Sequence, residues 1–153
     1  MNTMKAPQLV ICLPIETVDG TPVPKQREMI NSLAALAHSD SMENMGIVLT
    51  SPIRCEDSNE RFSYMFNDHY LGHTTILDNG LYYAPAHQRY IEIMAFLRSR
   101  NWPHIDWMAF DAQTEQYPEK CRANVHTPTG ENIQKQILLY IERAAQNDSI
   151  HVA

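Results

Sequence analysis

Thr50 and Ser51 follow the apolar run Met45 to Leu49, and Arg54 comes three residues after Ser51. In a parallel α/β sheet, ligands sit beyond the carboxyl ends of buried strands, so the hydroxyl pair emerges where chemistry is expected. Two other strand-like runs end in informative residues. Leu9 to Leu13 leads through Pro14 to Glu16, and Ile105 to Phe110 leads directly into Asp111. Hydroxyls, a guanidinium and carboxylates at converging strand ends suit a phosphate or metal site.

Other reactive side chains carry plainer readings. His69 and His73 are four apart beside Asp68, a spacing that on a helix puts two imidazoles on one face for a metal. Gly72 and the strand that follows end that helix first, so the pair reads as structural. Cys55 stands next to Arg54, whose charge favours a thiolate, but no histidine base can be assigned to it. His126, on a short strand, reads as a strand-end hydrogen-bonding group. Trp107 reads as a packing residue.

The elements that must position these groups follow from apolar spacing. Leu9 to Leu13 (LVICL) is apolar at every position, as expected of a central strand covered on both faces. Met29, Ile30, Leu33, Leu36 and Ala37 fall at helical spacing from Lys25, and Asn44 and Gly46 flank a turn into a second strand, Ile47 to Thr50. Glu56 to Asn67 reads as a second helix packed through Phe62, Met65 and Phe66. Thr74 to Leu77 reads as a third strand closed by Asp78, Asn79 and Gly80.

A third helix spans His87 to Arg100, with Ile91, Met94, Ala95 and Leu97 as its apolar stripe. Ile105 to Phe110 and Ala123 to His126 are the fourth and fifth strands. The last helix is capped by Thr129, carries Glu131 in its first turn and buries Ile133, Ile137, Leu138 and Ile141. Five strands and four helices in this order predict a three-layer α/β sandwich: a mostly parallel, Rossmann-like sheet with helices on both faces and no cap domain.

Bulk properties limit the function classes. A chain of 153 residues, 44% hydrophobic and 20% charged, can bury one core and reads as a single domain, 1–153. A formal charge of −6 argues against a surface that binds nucleic acid through phosphate neutralisation. Cys12, Cys55 and Cys121 are odd in number and lack a C-x-x-C pair, which argues against a disulfide framework or zinc ribbon and fits a reducing, cytoplasmic setting. No apolar stretch approaches the roughly 20 residues needed to span a bilayer, and the N-terminal segment lacks the pattern of a signal peptide. Neither a charge run nor a heptad repeat specifies an oligomeric state.

Taken in order, LVICL, GIVLTSPIR, HQRYIEIMAFLRSR, IDWMAFDAQ and VHTPTGENI resemble the haloacid dehalogenase superfamily. The resemblance is to its small capless members, including the domains found in RNA-repair fusion proteins, and covers roughly Leu9 to Ala145. It implies phosphoryl transfer through an aspartyl-phosphate. A first Asp attacks phosphorus, a second Asp two residues on acts as general acid and base, and Mg²⁺ bridges a carboxylate and the phosphate.

Carried over residue by residue, the resemblance makes Thr50, Ser51, Arg54 and Arg89 the phosphate-binding residues, with Asp111 and Glu16 at the metal. After Asp111, where the family offers another acid, this chain has Ala112 and Gln113. The first motif departs further. Aligned on the strand, Pro14 takes the nucleophile position and Glu16 the acid/base position. Aligned on Asp19-Gly20-Thr21, Thr17 takes the nucleophile position and Asp19 the acid/base position. Neither alignment supplies the attacking carboxylate.

The reading favoured by the residues is a protein of this fold that has lost aspartyl-phosphate chemistry and binds a small phosphorylated ligand or a protein partner through the old pocket, with Mg²⁺ weakly bound or absent. The alternatives are an active Mg²⁺-dependent phosphohydrolase with an atypical first motif, using Glu16 or Asp19, and a structural or assembly scaffold.

Overall fold

LVICL is apolar throughout because both faces of its strand are covered. The computed structural model describes residues 6–14, 24–39, 43–50, 62–74 and 87–152. Strand β1 (Leu9–Leu13) lies at the centre of a five-stranded sheet with β2 (Met45–Leu49), β3 (Tyr70–His73), β4 (Asp106–Phe110) and β5 (Val125–His126). The order is β3-β2-β1-β4-β5, and every adjacent pair is parallel.

Helices α1 (Pro24–Ala37), α2 (residues 62–66), α3 (Gln88–Ser99) and α4 (Gly130–Val152) complete a three-layer α/β sandwich with a Rossmann-like sheet. Alternation along β1 sorts the two cores. Leu9, Ile11 and Leu13 pack with Met29 and Leu33 of α1, Phe62 and Phe66 of α2, and Ile133 and Ile137 of α4. Val10 and Cys12 face the other way, toward Ile93, Phe96 and Leu97 of α3, with Trp102 and Tyr117. No described helix is long and apolar enough to cross a membrane.

The two directions of chain travel explain this division. From β1 the chain moves outward to β2 and β3 on one side, then α3 carries it back across the opposite face to β4. The order reverses between β1 and β4, and in doubly wound sheets ligands bind beyond the carboxyl ends of the strands at such a reversal.

Several expected boundaries shift. The third strand is Tyr70–His73 rather than Thr74 to Leu77, and of the expected stretch only Thr74 lies among the described residues. Gly72, at φ +99°, sits where the β2–β3 register slips between Ile47 and Val48, and that irregularity hides the strand from a period-two pattern. On α3 the buried positions are Arg89, Glu92, Ile93, Phe96 and Leu97, whereas Ile91 is exposed. The stripe is rotated because Arg89 and Glu92 turn inward. On α4, Leu138 is 50% exposed, while Ile133 and Ile137 are fully buried. His69 and His73 share no helix face. His69 ends a 3₁₀ turn and His73 ends β3.

Helix α3 is held firmly at its far end. Asn101 adopts φ 61°, its N–H donates to Arg98 O at 3.1 Å, and Trp102 N–H donates to Leu97 O at 2.8 Å. These paired bonds form a Schellman stop with Asn in place of Gly, sealed by the Phe96–Trp102 ring contact. On α4, Asn132 N–H donates to Thr129 Oγ1 at 3.1 Å, as expected of the N-cap.

Candidate functional site

The ladder that builds the sheet also lines up the site. Leu13 pairs with Leu49, Cys12 with Ala109, Leu49 with His73 and Phe110 with His126. Carried past the strand ends, the register sets Thr74, Thr50, Pro14 and Asp111 side by side on one rung at the carboxyl edge. Backbone bonds continue the ladder there: Thr50 N–H to Leu13 O at 2.9 Å, Thr74 N–H to Leu49 O at 2.9 Å, and Asp111 N–H to His126 O at 3.1 Å. With strands about 4.8 Å apart, Thr50 and Asp111 stand about 10 Å apart with Pro14 between them.

Asp111 shares the side of its strand with Ala109, and Thr50 shares its side with Val48, so both lie on the face covered by α3. Asp111 is the most heavily bonded side chain of the site. Arg89 Nη1 donates to Oδ1 and to Oδ2, each at 2.7 Å. The Tyr117 hydroxyl donates to Oδ2 at 2.9 Å, and the Gln113 backbone N–H donates to Oδ1 at 2.9 Å. The two side chains of the ion pair are 9% and 1% exposed, respectively for Arg89 and Asp111.

Arg89 reaches this position from the first turn of α3. A cation there opposes the positive end of the helix dipole, and the Asp111 carboxylate offsets that conflict. The residue before the helix, His87, is in the left-handed region at φ 63° and ψ 41° and supplies no side-chain cap. Gln116 fills the role instead: its Oε1 accepts the Arg89 backbone N–H at 3.4 Å. The start of α3 is thus pinned to the β4–β5 connection at Asp111, Gln116 and Tyr117.

Tyr117 is fully buried, and its ring stacks on Trp107, which also contacts Tyr90. Burial first, and then the nearby Asp111 charge, push its phenol far above the ordinary range, so it stays a protonated donor. Cys12, fully buried on the same face, has its thiol pushed up by burial and then by Asp111, which makes it an inert core residue. His126 is half-buried against Phe110, and burial lowers its imidazole pKa.

The remaining polar atoms are less well provided for. Thr50 is 2% exposed, yet its Oγ1 is buried with no hydrogen-bond partner among the described residues. At the start of α3, His87 Nδ1 and Gln88 Oε1 are also buried without partners among the described residues, while Gln88 Nε2 donates to Glu92 at 3.1 Å. A buried hydroxyl left unsatisfied costs about 1–3 kcal/mol.

Of the expected site residues, the structure brings Arg89 and Asp111 together and places Thr50 on the same edge. Pro14 is buried between Thr50 and Asp111, directly after β1. Glu16, Thr17, Asp19, Ser51, Arg54 and Cys55 lie outside the described residues. Gln113, Gln116 and Tyr117 did not stand out in the sequence. The segment after β4 folds as short 3₁₀ turns with no apolar period, and only its nearness to Asp111 pointed to it.

The magnesium that the family resemblance implies is a poor fit to Asp111 as the fold presents it. Mg²⁺ requires hard oxygen ligands in near-octahedral order, whereas both Asp111 oxygens already take four hydrogen bonds, two of them from a cation. Among the described residues, no three His, Cys, Asp or Glu side chains converge on a common point. Compared with models of known families, with curated proteins and with solved structures, the chain matches none.

Proposed function

We propose that this protein is a haloacid dehalogenase-like binding protein that takes a phosphorylated ligand at the carboxyl edge of its sheet and does not form an aspartyl-phosphate. The supporting observation is the Thr50 hydroxyl: buried, without a partner among the described residues, at the end of β2 and on the α3 face. A phosphoryl oxygen is the acceptor that this hydroxyl lacks. The start of α3 faces the same edge and favours negative charge. Ser51 and Arg54, which follow Thr50 in the chain, would supply further donors and positive charge.

Pro14 supports the non-catalytic part of this reading. It follows β1 directly, between Thr50 and Asp111, at the position that one alignment of the resemblance gives to the attacking carboxylate, and proline carries no nucleophilic atom; the other alignment puts Thr17 there. Losing a covalent nucleophile costs several orders of magnitude in rate.

Thermal unfolding with inorganic phosphate tests the reading through Thr50→Val. Without phosphate, the variant melts at or above the wild-type temperature, because an unsatisfied buried hydroxyl is removed at constant shape. With phosphate, wild type is stabilised and the variant is not. Turnover of an aryl phosphate with Mg²⁺, abolished by Glu16→Gln or Asp19→Asn, would replace this reading with an active phosphohydrolase. Absence of both turnover and phosphate stabilisation would leave the scaffold reading.

A further inference from the structure

We propose that Arg89 is the built-in counter-cation of Asp111, standing where the family resemblance implies a divalent metal, so that Asp111 has no need of a metal ion. The proposal extends the phosphate-binding reading but is carried by a separate observation. One guanidinium nitrogen lies 2.7 Å from both carboxylate oxygens, and the pair is almost wholly buried.

The surrounding donors point the same way. Gln113 N–H takes Oδ1 and the Tyr117 hydroxyl takes Oδ2, so each oxygen holds one fixed neutral donor and one contact to Arg89. A metal ligand keeps a lone pair directed into open space for the ion. Here that direction is taken by the guanidinium. A buried carboxylate requires a compensating charge, and a permanently protonated arginine on the first turn of a locked helix supplies it without ion uptake. Arg89 is therefore a positioning residue. It fixes the start of α3 against β4 and neutralises the acid that would otherwise recruit a cation.

Terbium(III) tests this directly, because it binds carboxylate sites and its emission is excited through nearby aromatic rings. Tyr117 bonds Asp111 and stacks on Trp107, so an ion on Asp111 would be sensitised. The expected result is equal emission from wild type and Asp111→Asn, with several-fold stronger emission from Arg89→Gln that is lost again in Arg89→Gln/Asp111→Asn. Arg89→Lys, which keeps a cation, should behave as wild type.

The proposal is overturned if wild-type emission falls on Asp111→Asn, since a metal would then share Asp111 with Arg89 in place. It is also overturned if folded Arg89→Gln emits no more than the double variant. Should Arg89→Gln fail to fold, the wild-type and Asp111→Asn comparison decides alone. None of these measurements involves phosphate, so a failure of phosphate to stabilise the protein counts against the binding reading only.

Discussion

Tyr117 donates its hydroxyl to Asp111 across six residues of irregular chain, and this 2.9 Å bond ties the β4–β5 connection to the ion pair that anchors α3. Three separate elements, the end of β4, the start of α3 and the turn carrying Tyr117, meet on a single carboxylate. Its energetics are those of a buried charge that is stable only while every partner is present.

Removing either side of the Arg89–Asp111 pair is expected to destabilise the fold by about 3–5 kcal/mol, because the other charge is left buried and uncompensated. Arg89→Ala combined with Asp111→Ala should cost much less than the sum of the two single changes. Urea unfolding of wild type and these three variants closes the cycle, and strict additivity would refute the coupling.

Tyr117→Phe removes only a hydroxyl and is expected to cost about 1.5–3 kcal/mol, the range for a bond to a charged acceptor. The folded protein holds this phenol above its unfolded value near 10, so its contribution is complete below about pH 10 and is lost as the pH rises further. Circular dichroism across the alkaline range should show wild type losing stability faster than Tyr117→Phe.

His126 gives the opposite pH dependence. Burial lowers its folded pKa below the ordinary 6.5, so the unfolded chain binds the proton more readily. Stability from this group is present above about pH 6.5 and declines as the pH falls below it. Denaturant midpoints at neutral and mildly acid pH should converge for His126→Gln and diverge for wild type.

Ile137→Ala and Leu138→Ala remove side chains from adjacent positions on α4 and should behave differently. Ile137 is fully buried in the core against α1 and the sheet, and its truncation should cost about 2–5 kcal/mol. Leu138 is half exposed, and its truncation should stay within about 0.5 kcal/mol. Equal losses would mean that α4 is rotated from the orientation described.

Thr129→Ala should cost about 1 kcal/mol, the ordinary value for loss of an N-cap, since its Oγ1 accepts the Asn132 N–H. Thr129→Ser should restore most of that stability, because the acceptor returns. Thermal melting of the two variants separates capping from packing.

LVICL announced a strand covered on both faces because it has no polar position, and the helix starting at Pro24 could be read from its apolar stripe. Thr50 and Asp111 stood out through residue type at the ends of strand-like runs, and Arg89 through the family resemblance. Leu138 and Ile91 misled because an apolar side chain can sit beside a buried stripe without joining it. The third strand escaped because a glycine and a register slip interrupt its alternation.

By itself, then, the sequence determined the layered α/β architecture and a short set of polar residues at strand ends, because both follow from local periodicity and side-chain chemistry. Only the tertiary structure decided what those residues do to one another. Arg89 and Asp111 are 22 positions apart, and the return of α3 across the sheet sets them 2.7 Å apart. Pairing of that kind depends on which strand ends share a rung and which helix crosses above them. Such contacts are set by packing over long sequence separations, which no local pattern encodes.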